Sequence, residues 1–235
     1  MPSPEMFNRA LADAAREMQA EGSTQEAMEA AVEIATKIIS GCDMAGVSII
    51  RSDGVDTPAT SHPQLREADE YQFKLSEGPC YDTLDEHDTV TSSDLSTDSR
   101  WPRWGPQLAD ELGLFSVLSY RLFSEGGTIG ALNLYGAGRA AFSSEDVYDG
   151  WALAAHIAVA LAAAQEIEHL EKAVGSRTVI GQATGIVMER YDLDADEAFR
   201  VLARLSSEQN VKLRVLAQQV VQTRRLPTSR RPAST

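Results

Sequence analysis

The sequence predicts an α+β protein in three parts: an antiparallel sheet with packed helices, a helical connector that suits a coiled coil, and a C-terminal module of three helices. Three observations predict it. Leu114 to Phe123 and Thr128 to Tyr135 are β-rich, and the glycine-containing loop Ser124-Glu125-Gly126-Gly127 joins them as in a hairpin. From Ser143 onward helical periodicity takes over and persists almost to the end. Charge is also segregated. Of the 21 Lys+Arg and 35 Asp+Glu in 235 residues, 11 and 7 fall within residues 171–235, net +4. The other 170 residues keep 10 and 28, net −18. An acidic body and a basic end meet different partners.

Composition narrows the class further. At 43% hydrophobic and 24% charged, the chain can build a core without disulfide or metal staples. No run reaches the ~18–20 uninterrupted apolar residues of a membrane span. The richest, Trp151 to Ala164, holds His156 and is followed by Gln165 and Glu166. Glu5, Arg9 and Asp13 stand where a signal peptide needs an apolar centre. A cytoplasmic protein with no membrane partner is therefore expected. Cys42 and Cys80 have no CxxC spacing, and His62, His87, His156 and His169 are scattered, so no metal or cofactor is expected.

The elements follow in order. Met6, Leu11, Ala14, Ala15 and Met18 recur at helical spacing, and Gly22 closes that helix. Ser23-Thr24-Gln25-Glu26 fits a capping box. The helix it starts aligns Ala27, Ala31, Ile34, Ile38 and Ile39 and ends at Gly41. Ala45 to Arg51 reads as a strand broken by the turn Ser52-Asp53-Gly54. Residues 62–113 read as irregular and acidic, with short helices near 64–74 and 100–112. Gly136 to Arg139 ends the sheet, and Ser143 to Asp146 caps the next helix. Trp151, Ala154, Ala158, Leu161 and Ala162 form its apolar stripe, narrowing to Ile167, Leu170 and Val174. A narrow stripe flanked by Glu166, Glu168, Glu171 and Lys172 suits a parallel coiled-coil dimer or, equally, a solvated linker helix. Three short helices are expected at 177–191, 194–205 and 210–222. Asp194 serves as an N-cap, and Ile180, Val187, Met188, Ala198, Phe199, Leu202, Leu213, Leu216 and Val220 point inward. Arg224 to Thr235 reads as a disordered tail.

No catalytic constellation emerges, and the chain is not expected to be an enzyme. A phosphate-cradling loop needs GxxxxGK[ST] or GxGxxG after a strand. Gly181 and Gly185 instead lie within a helix, costing up to ~1 kcal/mol each in propensity, with close helix packing as their expected role. Cys80 and Trp104 are the ligand or redox candidates. Burial is the commoner role of a lone cysteine, and packing the commoner use of Trp101-Pro102-Arg103-Trp104. Candidate chemistry concentrates at the basic end. Arg200 and Arg204 share a helical face, Ser206, Ser207 and Asn210 occupy the following turn, and Lys212 and Arg214 begin the last helix. Cations beside hydroxyl and amide groups suit phosphate contact and base-edge hydrogen bonding. A solvated helix surface with a capped turn explains the same pattern.

Val179 to Tyr191, Asp196-Glu197-Ala198-Phe199, Leu205-Ser206-Ser207 and Asn210 to Leu213 together resemble the ANTAR family over residues 170–226. That resemblance implies a three-helix domain that binds paired RNA stem-loops near terminators, as a dimer, in transcription antitermination. Many members carry Lys where this chain has Thr184. Glu77-Gly78-Pro79-Cys80, Arg100-Trp101-Pro102, Ser116 to Ser119 and Gly130 to Tyr135 resemble a GAF domain over residues 24–165. This implies an antiparallel sheet with helices and a sensor for an unknown small molecule. Cyclic-nucleotide binders show Asn-Lys, then Phe and Asp-Glu; here Asn133 precedes Leu134, and Phe142 precedes Glu145-Asp146.

The resulting layout is an N-terminal helix at 1–23, a sensor at 24–150, a connector at 151–176, an RNA-binding module at 177–226 and a tail at 227–235. Arg204, Ser207, Asn210, Lys212 and Arg214 are the expected RNA contacts, with Gly185 and Ala198 in packing roles. The competing reading is a ligand- or redox-sensing interaction protein whose last helices serve dimerisation.

Overall fold

The computed structural model describes residues 4–20, 23–51, 54–85, 88–124 and 127–227. It comprises two compact units, Met1–Glu166 and Ile167–Thr235. The first opens with α1 (Pro4–Ala20) and α2 (Thr24–Ile38), which lead into β1 (Met44–Arg51) and β2 (Gly54–Thr60). Next come α3 (Pro63–Leu75), α4 (Pro79–Asp85), β3 (Thr89–Ser92) and α5 (Trp104–Leu112). The hairpin strands β4 (Ser116–Ser124) and β5 (Gly127–Gly136) complete a five-stranded sheet, wholly antiparallel, in the order β2-β1-β5-β4-β3. Helix α6 (Ser144–Tyr191) follows. The α+β class and its antiparallel sheet are as the sequence predicts.

Side chains alternate across the strands, so each sheet face has its own character. Ala45, Val47 and Ile49 of β1, Leu118, Tyr120 and Leu122 of β4, and Leu132 and Leu134 of β5 share one apolar core with helices α1, α2 and α6. Leu153, Ile157 and Leu161 are the contribution of α6. Burying such side chains is worth about 1.5–3 kcal/mol each. The alternate positions Ser48, Ser119 and Asn133 are fully buried on the other face, beneath α3 and α4. Both expected helix starts are capped. Ser23 Oγ accepts from the Glu26 N–H at 3.2 Å while donating to the Glu26 carboxylate at 3.0 Å. Asp146 accepts from the Ser143 N–H at 2.8 Å and hydroxyl at 2.6 Å.

The structure departs from the sequence reading in several places, each with a physical cause. Residues 54–60 form the edge strand β2, where Pro58 sits at a register irregularity between the Val47–Ala59 and Ile49–Asp56 pairs. Along it, the Thr57 carbonyl accepts from Arg66 Nε at 3.1 Å. The Pro58 carbonyl accepts from Arg66 Nη2 at 3.2 Å and Gln25 Nε2 at 3.1 Å. The segment read as irregular also contains α4 and the four-residue β3, both too short for periodicity to declare. Pairing of the hairpin extends to Ser124 and Gly127, shortening the expected four-residue loop to positions 125–126. That loop centre and the turn positions Ser52-Asp53 lie outside the described residues, as do Gly22 and His87. Leu11, Ala14 and Met18 of α1 lie in the core as expected, and Phe7, which the sequence reading does not single out, joins them.

The largest departure is α6, which runs 48 residues without a break near position 177. The Ser176 and Thr178 hydroxyls donate to the Lys172 and Val174 carbonyls at 2.7 and 3.0 Å, so neither competes for a helix-ending turn. An 18-residue window of α6 has mean hydropathy 1.4, enough by composition to cross a membrane. Leu153, Ile157 and Leu161 nevertheless fill the first unit's core, as in a core helix. Ile167, Leu170 and Val174 are each more than half exposed.

In the second unit the end of α6 packs with α7 (Ala195–Glu208) and α8 (Leu213–Thr223) around Ala183, Val187, Ala198, Leu202, Leu216, Ala217 and Val220. Asp194 forms a full capping box: its carboxylate accepts from the Glu197 N–H at 2.7 Å, and Glu197 accepts from the Asp194 N–H at 3.1 Å. Phe199, expected inside, is 45% exposed. It lies about 100° around the helix from Ala198, off the Ala198–Leu202 line that faces the core.

Candidate nucleic-acid interface

The five candidate residues gather where α7 hands over to α8. The corner folds through local hydrogen bonds: the Asn210 N–H to the Ser207 carbonyl at 3.2 Å and the Val211 N–H to the Ser206 carbonyl at 3.0 Å. Ser206 Oγ closes it by donating to the Val211 carbonyl at 2.6 Å. Asn210 takes the left-handed conformation, φ 51°, which asparagine tolerates better than most residues. Lys212 is the N-cap of α8 and makes no side-chain cap bond, so the last helix starts at Leu213, three residues later than expected.

Arg204, Ser207, Asn210, Lys212 and Arg214 are all exposed, as is Arg200 one turn earlier. Arg204 Nε lies 3.7 Å from Glu208 Oε1, a surface pair worth about 0–1 kcal/mol that ties the guanidinium down only weakly. The corner and the helix ends flanking it therefore present cations and hydroxyl or amide groups to solvent.

The glycines behave otherwise than expected. A Cβ at Gly181 or Gly185 would meet nothing within 4 Å, and both positions are exposed. Close packing does not explain them; Ala198, by contrast, is fully buried. Thr184 Oγ1 donates to the Ile180 carbonyl of its own helix at 2.8 Å. Gly185 also opens onto a groove that sequence reasoning missed, because nothing in the sequence distinguishes an unpacked helical glycine from a packed one.

In the first unit, Cys80 and Trp104 are interior residues. Cys80 is 0% exposed, and burial pushes its thiol up to about 12, with the Asp69 carboxylate adding to the effect. A thiol kept protonated is a poor nucleophile and a poor redox centre. The Cys80 N–H donates to Gln72 Oε1 at 2.9 Å. Trp104 stacks edge-on against Trp101 at 5.8 Å between ring centroids, and its Nε1 donates to the Ala68 carbonyl at 2.9 Å. The motif around Cys80 is tied to the tryptophans by Glu77. Its carboxylate accepts from the Arg103 and Trp104 N–H groups at 2.9 and 3.1 Å and from Arg103 Nε at 2.6 Å. Gly78, at φ 122°, admits no side chain, since a Cβ would come within 2.2 Å of Gln72 Oε1.

Beneath this motif lies a polar network with a carboxylate at its centre. Asp69 accepts from Thr57 at 3.0 Å, Ser48 at 3.4 Å, Gln72 Nε2 at 2.8 Å and the Tyr135 hydroxyl at 3.1 Å. Asn133 extends it, donating to Ser48 at 3.3 Å and accepting from Ser119 at 2.6 Å, which in turn accepts from Thr83 at 2.9 Å. Burial outweighs these bonds and raises the Asp69 carboxyl to about 6. Burial, and then the neighbouring carboxylate, push Tyr135 well above its ordinary value.

The GAF domain family matches residues 21–162, more than half of the chain, and the ANTAR domain matches residues 168–221. This chain belongs to the GAF family and carries an ANTAR domain. Both domains are regulatory, the first a sensor class and the second an RNA-binding class. The GAF unit is similar to the GAF domain of an Acinetobacter phosphoenolpyruvate-protein phosphotransferase: 14% identity, TM-score 0.55, covering 72% of this chain and 99% of that one. The corresponding Coxiella burnetii domain is 16% identical, with TM-score 0.57 and the same coverage. A free methionine-R-sulfoxide reductase from Neisseria meningitidis matches at 16% identity and TM-score 0.56, over 71% of this chain and 95% of that one. At such identities the likeness is one of fold alone. No curated protein matches this sequence.

Proposed function

We propose that this GAF–ANTAR protein is a cytoplasmic transcription regulator that grips paired RNA stem-loops near terminators and promotes antitermination. The observation that carries this reading is the exposed corner of Arg204, Ser207, Asn210, Lys212 and Arg214, on a domain of an RNA-binding class. The protein works as a homodimer. The exposed stripe of Ile167, Leu170 and Val174 supports pairing through the connector. A small molecule, or another signal read by the GAF domain, biases that pairing and so the spacing of two ANTAR domains. A coupling of ~1–3 kcal/mol suffices for such control.

A gel shift of the full chain on a tandem stem-loop RNA at two salt concentrations tests the proposal. Binding is expected to weaken steeply with salt, and each phosphate-contacting residue removed lowers the log–log slope by about one. The Arg204→Ala/Lys212→Ala variant should lose binding while keeping its fold. Absence of binding to any hairpin in dilute buffer would favour the reading in which the last helices only dimerise. Preference for duplex DNA of matched charge would favour a helix-turn-helix role.

A further inference from the structure

We infer that the groove between the C-terminal turns of α6 and α8 receives one unstacked nucleotide from the loop of a bound RNA. The inference rests on the RNA-binding reading above and adds a second contact region to it, away from the α7–α8 corner. The groove holds about 650 Å³, within the ~300–1,000 Å³ typical of small-ligand sites. Gly185 lines it with bare backbone, and the half-buried Ile186 and Val221 supply apolar lining. Arg190 and Arg224 stand at its edge, the Arg190 guanidinium donating to the Arg224 carbonyl. Gln182 and Glu189 complete the lining with amide and carboxylate groups.

Each part matches a part of a nucleotide. Glycine lets backbone approach a flat ligand closely, and here it serves no packing purpose, since its Cβ would meet nothing. A helix-interior glycine breaks a local rule, and unexplained breaks of this kind collect at functional sites. Splayed loop bases are held on apolar or guanidinium planes and read along their edges by amide and carboxylate groups. The arginines suit the attached phosphate by charge. Glu189, an acceptor only, favours a base carrying an exocyclic amine.

Gly185→Leu projects a side chain into the groove from a position where an added Cβ meets nothing within 4 Å, and Gly181→Leu, equally open at Cβ but outside the groove, is its control. Both place a better helix former in open space, so both should fold, as thermal unfolding would verify. The full chain would be titrated with hairpin RNAs carrying 2-aminopurine at successive loop positions. Gly185→Leu should weaken binding about tenfold, the worth of one held base, and abolish the fluorescence change at a single loop position. Gly181→Leu should alter neither. Wild-type affinity in Gly185→Leu overturns the inference while leaving the RNA-binding reading intact. So does a groove whose filling changes only self-association or protein capture. If wild-type protein binds no hairpin at all, the RNA-binding reading fails first and takes this one with it.

Discussion

In the GAF unit the Asp69 carboxylate accepts four hydrogen bonds at 1% exposure, whereas Arg204, Ser207, Asn210, Lys212 and Arg214 of the ANTAR unit stand in solvent. Both regions are built from polar and charged side chains, the first within strands and helix α3, the second around the corner between α7 and α8. In the first, donors and acceptors are matched internally and water is excluded, which favours one arrangement of the interior. In the second the backbone bonds and the Ser206 hydroxyl hold the corner, leaving the five candidate side chains exposed to another molecule. Polar residues thus announce structure or binding according to where their hydrogen bonds end.

Several substitutions would break or sharpen that contrast. Asp69→Leu removes the common acceptor of Thr57, Ser48, Gln72 and Tyr135. At ~1–3 kcal/mol for each buried group left unpaired, it should cost at least ~3 kcal/mol in urea unfolding. Next in size is a pH effect. With a folded-state value of about 6 against ~3.9 unfolded, Asp69 keeps its proton longer in the native state. Its contribution is fully present below pH ~4 and is lost as pH rises through 6, a fall on the order of 3 kcal/mol. Asp69→Asn keeps an acceptor for Gln72 and Tyr135 and should flatten that part of the stability curve; an unchanged slope would assign it to another group. Asp194→Ala removes a cap and should cost ~1 kcal/mol. Arg214→Ala, on the outward-facing corner, should change stability by less than ~0.5 kcal/mol, and its effect should appear only in RNA affinity. A stability loss as large as that of Asp194→Ala would show that the corner is held by its side chains after all.

Much of the framework was legible because it follows period and caps. The hairpin β4–β5, the strand at 44–51, the Ser23 and Asp194 starts and the inward line Ala198–Leu202 all obey local rules. The miscalled parts obey rules that appear only in three dimensions. Strand β2 contains Pro58 and Asp56, residues depleted from strands, and it exists because β1 offers it a partner. Asp69 lies in an acidic helix that reads as solvated, and only the polar alternate face of β1 and β5 makes room for it. The Arg204–Arg214 corner could be picked out by spacing, but the groove at Gly185 could not. A glycine in a packed crossing and a glycine over empty space look the same in sequence.

The outer strand β2 carries a consequence for how this molecule associates. A foreign chain seeking to extend the sheet there would meet carbonyls already claimed by Arg66 and Gln25, and at Pro58 a nitrogen with nothing to give. Extension of the sheet is thereby discouraged on that flank by side chains reaching over from α2 and α3. On that flank, association is left to surfaces that bury carbon rather than to those that trade backbone bonds.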